Sequence, residues 1–199
     1  TDLSIALAEP DGTLIVEEAW SSAQRQSAEL LPRLLALLER EGRSLGDASA
    51  IAIGTGPGSF TGLRVAMALA KGLAVGLGTP IVGVPSLRAW LDAEPGAVAA
   101  VARAGAREAY LLLGDEEDPR IVDRDALGSE ATVVAAAELA SAFGLRDARP
   151  PRAAAAIAHA AALRLGSERV GDDLGTLEPI YLRAPRGVAT ESGERVKWL

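Results

Sequence analysis

The chain opens with an alternation of large apolar and smaller residues over 3–8, followed by the turn residues Pro10, Asp11 and Gly12. A second extended segment follows over 13–19. Period-two patterns on either side of a glycine turn predict a β-hairpin. We therefore expect the first two strands to be antiparallel neighbours.

A leucine-rich segment with helical spacing comes next. It predicts a helix over 29–41 that begins near Ser27–Glu29 and is stopped by Gly42. Proline is tolerated in the first turn of a helix, and this start places Pro32 there.

Residues 49–84 predict a right-handed βαβ unit with a strand over 49–54, a helix over 60–77 and a strand over 80–84. In the helix only Arg64 and Lys71 are charged, and they lie seven residues apart on one side. A helix that is apolar all round is expected to be buried on two sides. We expect its own sheet to bury one side. We expect another helix, from this chain or from a second chain, to bury the other side.

One stripe of that helix has a small residue at every fourth position, beside a bulky ridge. The small positions are Gly62, Ala66, Ala70, Ala74 and Gly78, and the ridge is Val65, Leu69, Leu73 and Leu77. Because small side chains permit close approach of helices, we expect this stripe to face a partner helix. For Arg64 and Lys71, a place at the edge of a protein interface and a purely intramolecular role both stay open.

The second half begins after a short predicted helix over 86–93. A boundary at Glu94–Pro95–Gly96 divides the chain into an N-terminal lobe, 1–93, and a smaller C-terminal lobe, 94–199. Further predicted elements are strands over 98–102, 108–114 and 120–123, helices over about 135–143 and 152–166, an extended segment over 179–183 and a polar tail over 190–199.

Composition narrows the class of protein. At 199 residues and 49% hydrophobic content the chain is long and apolar enough for a sizeable core. It contains no cysteine, which excludes disulfides and thiolate zinc sites, and its net charge of −7 argues against an autonomous nucleic-acid binder. Glycines and Lys71 interrupt its longest apolar run, so we expect no membrane partner and a cytoplasmic location.

The glycine-rich loop before the apolar helix contains Gly56, Gly58, Ser59 and Thr61. Backbone amides at a helix N-terminus can bind an anion, but a nucleotide P-loop has Gly-Lys-Ser/Thr where this chain has Gly62-Leu63-Arg64. The favoured interpretation is a strand-to-helix turn in which Ser59 or Thr61 caps the helix. An anion or nucleotide contact is the alternative.

The sequence shows no clear arrangement of catalytic residues. His159 is the one histidine, so no histidine pair can hold a metal. Glu17–Glu18 and Asp172–Asp173 are interpreted as solvated groups, although the aspartates could touch Mg²⁺. Tyr110 and Tyr181 are interpreted as aromatic residues at the edge of the core. We predict no catalytic residue and no metal.

Four segments together resemble the TsaB (YeaZ) family, whose members are needed to make N6-threonylcarbamoyl-adenosine in tRNA. They are GTGPGSFTGLRVAMALAKGLAVGLGTPIVGVPSL (54–87), RQSAELLPRLLALLE (25–39), PIYLR (179–183) and TDLSIALAEPDG (1–12). The family's His-Ser before the glutamate is Ser27-Ala28 here, and its DARxxEVY segment is RAGAREAY (103–110).

The resemblance implies an actin-like, ribonuclease-H-like (ASKHA) α/β fold with two lobes and mixed sheets flanked by helices. That architecture starts with a central strand, so we expect one strand to be missing before Thr1. The implied function is that of a non-catalytic activator and scaffold. As further implications of the resemblance, we expect the chain to dimerise with the catalytic paralogue TsaD, to homodimerise when alone, to join a TsaE-like ATPase, and to reach tRNA only through the complex. The resemblance implies no tightly bound cofactor, with ATP or ADP at the partner interface.

In the family the two N-lobe helices form the contact surface, which corresponds here to 29–41 and 60–77. The interface positions that this implies are Glu29, Leu30, Leu34, Gly62, Arg64, Ala66, Met67, Ala70, Lys71 and Ala74. The alternative function is a free-standing actin-like ATP-binding enzyme or a peptidase. Such enzymes require acidic metal ligands or a nucleophile–base pair, which the sequence does not display.

Overall fold

The computed structural model describes residues 2–127, 132–168 and 170–183. The predicted hairpin forms from β1 and β2, which pair antiparallel, and the helix α1 follows it. The βαβ unit is present too, with β3 and β4 parallel and α2 between them. The bounds are β1 Asp2–Ala8, β2 Leu14–Ser21, α1 Gln26–Arg40, β3 Ile51–Gly56, α2 Phe60–Leu77, β4 Ile81–Pro85 and α3 Ser86–Asp92.

The second half is built on a five-stranded mixed sheet in the order β7-β6-β5-β8-β9. Its centre, β5, pairs antiparallel with β6 and parallel with β8. The bounds are β5 Ala99–Arg103, β6 Glu108–Leu113, β7 Arg120–Asp123, β8 Val133–Ala135, α4 Ala137–Phe143, β9 Ala148–Arg149 and α5 Ala153–Glu168. Short 3₁₀ turns lie at Leu45–Asp47 and Arg124–Ala126.

Three details differ from the sequence prediction. The first helix begins at Gln26, so Pro32 lies in its second turn, where the missing N–H leaves the carbonyl of Ala28 without its intrahelical donor. The short strands β8 and β9 were not predicted, and the first residue of the helix predicted over 135–143 belongs to β8. Residues 179–183 form no regular strand.

Helix α5 packs on all four N-terminal strands and on α3, although it follows the five-stranded sheet in the chain. Val82, Val84 and Ile157 are buried together at this contact. In the described residues no ladder connects the β1–β2 pair to the β3–β4 pair. The division at residue 93 and the missing strand stay predictions. The predicted polar tail lies outside the described residues.

Candidate docking face on helices α1 and α2

Helix α2 begins and ends where capping residues require it to. The Oγ atom of Ser59 accepts a hydrogen bond from the backbone N–H of Gly62 at 3.3 Å, which caps the N-terminus. Gly78 ends the helix in the left-handed conformation with φ 66°, as C-terminal glycines commonly do. The helix therefore spans the predicted residues 60–77.

Two members of the small-residue stripe, Ala70 and Ala74, face the sheet under α2. Ala70 and Ala74 are 6% and 2% exposed and pack with Ile81, and Met67 is 5% exposed. Gly62 is also buried, and Ala66 is half-buried. The prediction that this stripe meets a partner helix is therefore corrected at Ala70 and Ala74, which allow α2 to lie close to β3 and β4 within one molecule.

A different stripe of α2 remains open to solvent. Ala68, Gly72 and Gly76 are exposed, and Val75 is 67% exposed. A Cβ atom added at Gly72 or Gly76 would have no atom within 4 Å. These four residues follow the helical repeat and form an apolar surface without a formal charge.

Helix α1 extends this surface, because it packs beside α2 and exposes Leu31 and Leu35 at 36% and 45%. Of the positions predicted at the interface on this helix, Leu30 is buried and Leu34 is half-buried. Arg64 of α2 is exposed, and its guanidinium lies over the Phe60 ring at 5.1 Å. We define the outer face as Leu31, Leu35, Arg64, Ala68, Gly72, Val75 and Gly76.

Polar contacts hold α1 against the hairpin at the border of the outer face. The Nε1–H of Trp20 donates to Glu29 at 3.0 Å, and this hydrogen bond is the main reason that the pKa of Glu29 lies below its ordinary value. Glu18 pairs with Arg33 and Arg40, and hydrogen bonds from Arg40 and then Arg33 likewise lower its pKa. Glu18 is therefore not the solvated group that its sequence position indicated.

Lys71 has an intramolecular partner. Its Nζ atom donates to the backbone carbonyl oxygen of Leu174 at 2.6 Å, and the residue is half-buried. Of the two roles left open for Lys71, the structure displays the intramolecular one. The sequence carried no signal for this contact, since 103 residues separate the two groups.

The glycine loop has a structural explanation at two positions. Gly56 adopts φ +94°, a conformation that favours glycine, and its N–H donates to the Oγ atom of Ser86 at 3.1 Å. A Cβ atom at Gly54 would lie 2.7 Å from the same Oγ atom. The geometry agrees with a tight strand-to-helix turn, while an anion contact near Gly58 and Thr61 stays a prediction.

The acidic pairs have structural partners that the sequence did not indicate. Oε1 of Glu17 accepts hydrogen bonds from the N–H groups of Ala154 and Ala155 and so caps the start of α5. Asp172 pairs with Arg164, whose hydrogen bond is the first cause of a lowered pKa at Asp172. Asp173 is exposed and accepts hydrogen bonds from a backbone turn.

Two searches cover the described residues only. Within 2–127, 132–168 and 170–183 there is no group of three or more His, Cys, Asp or Glu residues that could hold a metal. In the same part of the chain α2 is the one helix long and apolar enough to cross a membrane by length and composition. A helix packed on its own sheet passes the same test, so this is weak evidence for a membrane span.

The first half combines the paired helices α1 and α2 with one antiparallel and one parallel strand pair, and the second half contains a mixed five-stranded sheet. This arrangement defines an actin-like α/β protein. A solved structure from Pseudomonas aeruginosa, described as similar to the peptidase YEAZ, superposes with a TM-score of 0.69 at 25% identity. The superposition covers 92% of this chain and 94% of that one. The fold class predicted from the sequence is therefore confirmed.

Sequence comparisons then give the family. A model described as "TsaD: tRNA N6-adenosine threonylcarbamoyltransferase" matches residues 20–164. The Escherichia coli tRNA threonylcarbamoyladenosine biosynthesis protein TsaB is 47% identical over 58 residues, which are 29% of this chain and 25% of that protein. An uncharacterized protein of Mycobacterium tuberculosis H37Rv is 32% identical over 189 residues, covering 88% of this chain and 83% of its own length.

The chain belongs to the TsaD family and is TsaB/YeaZ-like within it, which confirms the resemblance. The match spans about a quarter of the E. coli TsaB protein. Named members of this family take part in the synthesis of threonylcarbamoyladenosine in tRNA.

Proposed function

We propose that this protein is a non-catalytic activator and scaffold in tRNA threonylcarbamoyladenosine synthesis, and that its outer face binds a TsaD-like catalytic subunit. The observation that supports the proposal most directly is the outer face itself. Apart from Arg64, it is an apolar helical surface that stays exposed in this chain, which belongs to the TsaD family.

The chemistry of the outer face suits a helical partner. Ala68, Gly72 and Gly76 give α2 an exposed stripe without large side chains, and Val75 and Leu35 are exposed apolar side chains of the same face. A helix pair with bulky aliphatic residues would pack against this stripe and cover the exposed side chains beside it. Specific interfaces typically bury about 800 Å² per partner, an area of the order that two adjacent helices can offer.

The remaining parts of the proposal concern the assembly. TsaD carries out the transfer, a TsaE-like ATPase joins the complex, and tRNA is reached through the complex and not by this chain alone. Without TsaD, two copies of this chain pair through the same face. ATP or ADP binds at the subunit boundary near the glycine loop, and the assembly is cytoplasmic.

The experiment compares Gly72→Arg with Gly166→Arg. Both residues are exposed helical glycines with no atom within 4 Å of an added Cβ, but Gly72 lies on the outer face and Gly166 lies on α5. We expect both variants to fold, as circular dichroism would verify. Gly72→Arg should lose co-purification with the TsaD-like subunit, because it places a long charged side chain on the exposed apolar stripe.

Gly166→Arg should bind the partner as the unmodified chain does. Equal binding by both variants would contradict the docking proposal. ATP turnover by the purified chain without any partner would contradict the non-catalytic role and favour the alternative of a free-standing ATP-binding enzyme.

A further inference from the structure

Residues 171–183 cross the molecule as an irregular segment, which we name the strap. It begins at the outer edge of β4, where the N–H of Asp172 donates to the carbonyl oxygen of Ile81 at 2.7 Å. The carboxylate of Asp172 accepts the N–H of Gly83 at 2.7 Å. The strap therefore continues the hydrogen bonding of the β3–β4 pair beyond its edge.

The close packing at this edge requires glycine at two positions. A Cβ atom at Gly171 would lie 2.8 Å from the carbonyl oxygen of Ile81, and one at Gly83 would lie 2.4 Å from Leu177. Leu174 and Leu177 pack against the cluster that contains Ala70 and Ala74 of α2. The strap thus lies tightly on the inner side of α2.

The strap also contacts the start of α2. The N–H of Ile180 donates to the carbonyl oxygen of Thr55 at 2.7 Å, just before the glycine loop. The ring of Tyr181 lies 5.1 Å from the ring of Phe60, the first residue of α2. The guanidinium of Arg64 lies over the same Phe60 ring. Farther along the helix, Lys71 binds the strap carbonyl of Leu174.

The far end of the strap is fixed to the five-stranded sheet. Arg183 donates two hydrogen bonds to the carboxylate of Glu108 on β6, at 2.6 and 2.8 Å. Such a bidentate pair fixes direction as well as distance. Leu182 packs on the cluster that includes Tyr110 and Leu112 of the same sheet.

From these contacts we propose that the strap is a positioning element for the outer face: it fixes α2 and the glycine loop against the second half, so that partner affinity depends on Tyr181. The inference rests on the proposed docking role of α2. Tyr181 is a positioning residue here, because it is not one of the outer-face residues and contacts α2 through the ring of Phe60.

The test uses three variants of the full chain. Tyr181→Ala removes the ring, Tyr181→Phe retains it, and Leu139→Ala lowers stability at a distant buried site in α4, where Leu139 is 3% exposed. Hydrogen exchange of amides 55–64 is measured on each chain alone. The dissociation constant for the TsaD-like subunit is then measured for each.

We expect Tyr181→Ala to speed exchange at 55–64 and to weaken partner binding by roughly three- to tenfold, the range for loss of one aromatic pair. Tyr181→Phe should restore both values. Leu139→Ala should lower thermal stability with the dissociation constant unchanged, which separates positioning from a general loss of stability.

Unchanged exchange at 55–64 in Tyr181→Ala would overturn the inference, as would equal weakening of binding by Tyr181→Ala and Leu139→Ala. The exchange measurement requires no partner. It therefore tests the strap contacts independently of docking. If Gly72→Arg shows that the outer face does not bind TsaD, the docking role and the affinity claim fail, while the exchange result stands.

Discussion

Helices α2 and α5 are both long, rich in small residues and nearly without charge, yet the molecule surrounds them differently. Helix α5 spans all four N-terminal strands and also packs on α3. Helix α2 packs mainly on β3, with α1 at its side, and leaves Ala68, Gly72 and Val75 open. Helix α5 thus packs across strands of its own molecule, whereas α2 leaves an apolar stripe open to solvent, and the docking proposal rests on that stripe.

The comparison also separates two stripes of small residues on α2 itself. Ala70 and Ala74 give the backbone close access to its own sheet, and Gly72 and Gly76 lie on the solvent side. Small residues alone thus do not identify an interface. Their burial decides which contact they serve.

The largest effect is expected for Ala70→Arg on the inner stripe. Ala70 is 6% exposed, so an arginine there buries a charge without a partner or displaces α2 from β3. We expect a loss of about 3–5 kcal/mol in the free energy of unfolding, measured by chemical denaturation. A variant as stable as the original chain would show that this stripe does not pack on the sheet.

Next in size is Gly12→Ala, which tests how closely α5 lies on the hairpin turn. Gly12 has φ +86°, and an added Cβ would lie 2.9 Å from Nδ1 of His159. We expect a loss of about 2–3 kcal/mol from backbone strain and crowding together.

The matched control is Gly42→Ala, where φ is +66° and the space is open. It should lose only about 1 kcal/mol, from the backbone alone. Equal losses in calorimetry would remove the evidence for close packing of α5 on the turn.

A smaller effect is expected for Asp172→Asn, which weakens the link from α5 to the strap. Hydrogen bonding from Arg164 holds the pKa of Asp172 below its usual range in the folded chain. The carboxylate therefore stabilises the fold above about pH 4, and this stabilisation is lost as the pH falls toward the lowered value. The variant should be less stable than the original chain by about 1–2 kcal/mol at pH 7.

Urea unfolding of both chains at several pH values would measure this difference. It should shrink as the pH falls below about 4 and Asp172 takes up its proton. A difference that stays constant over that range would mean that Asp172 and Arg164 are not paired in solution.

The smallest effect is a gain. Gly72→Ala and Gly166→Ala should each stabilise the monomer by about 0.5–1 kcal/mol, because both positions are helical and open and alanine favours the helix. Thermal denaturation would detect the gain. A loss of stability at Gly72 alone would mean that the outer face is crowded within the monomer.

The strands and helices of the first half were predictable because their ends carry turn and capping residues. Ser59 and Gly78 bound α2 at both ends, so its span could be read from the sequence. The strands β8 and β9 have three and two residues, too few for an alternating pattern to show. The start of α1 was misplaced, because Pro32 is accommodated in the second turn.

The sequence predicted which two helices carry the candidate surface, but not which side of α2 is exposed. An all-apolar helix has no polar side to orient it, so the stripe of Gly62, Ala70 and Ala74 could not be told from its neighbour. The contacts of the strap could not be predicted from the sequence either. Hydrogen bonds such as that from Lys71 to Leu174 join residues far apart in the chain and leave no local pattern.

The most direct test of the docking face uses the absence of cysteine from this chain. Val75→Cys and Leu163→Cys place one thiol on α2 and one on α5, at positions 67% and 60% exposed. Maleimide should label both variants at similar rates when each is alone. With the TsaD-like subunit in excess, labelling should slow strongly at residue 75 and stay unchanged at residue 163. Undiminished labelling at residue 75 in a mixture shown to contain the complex would contradict the account.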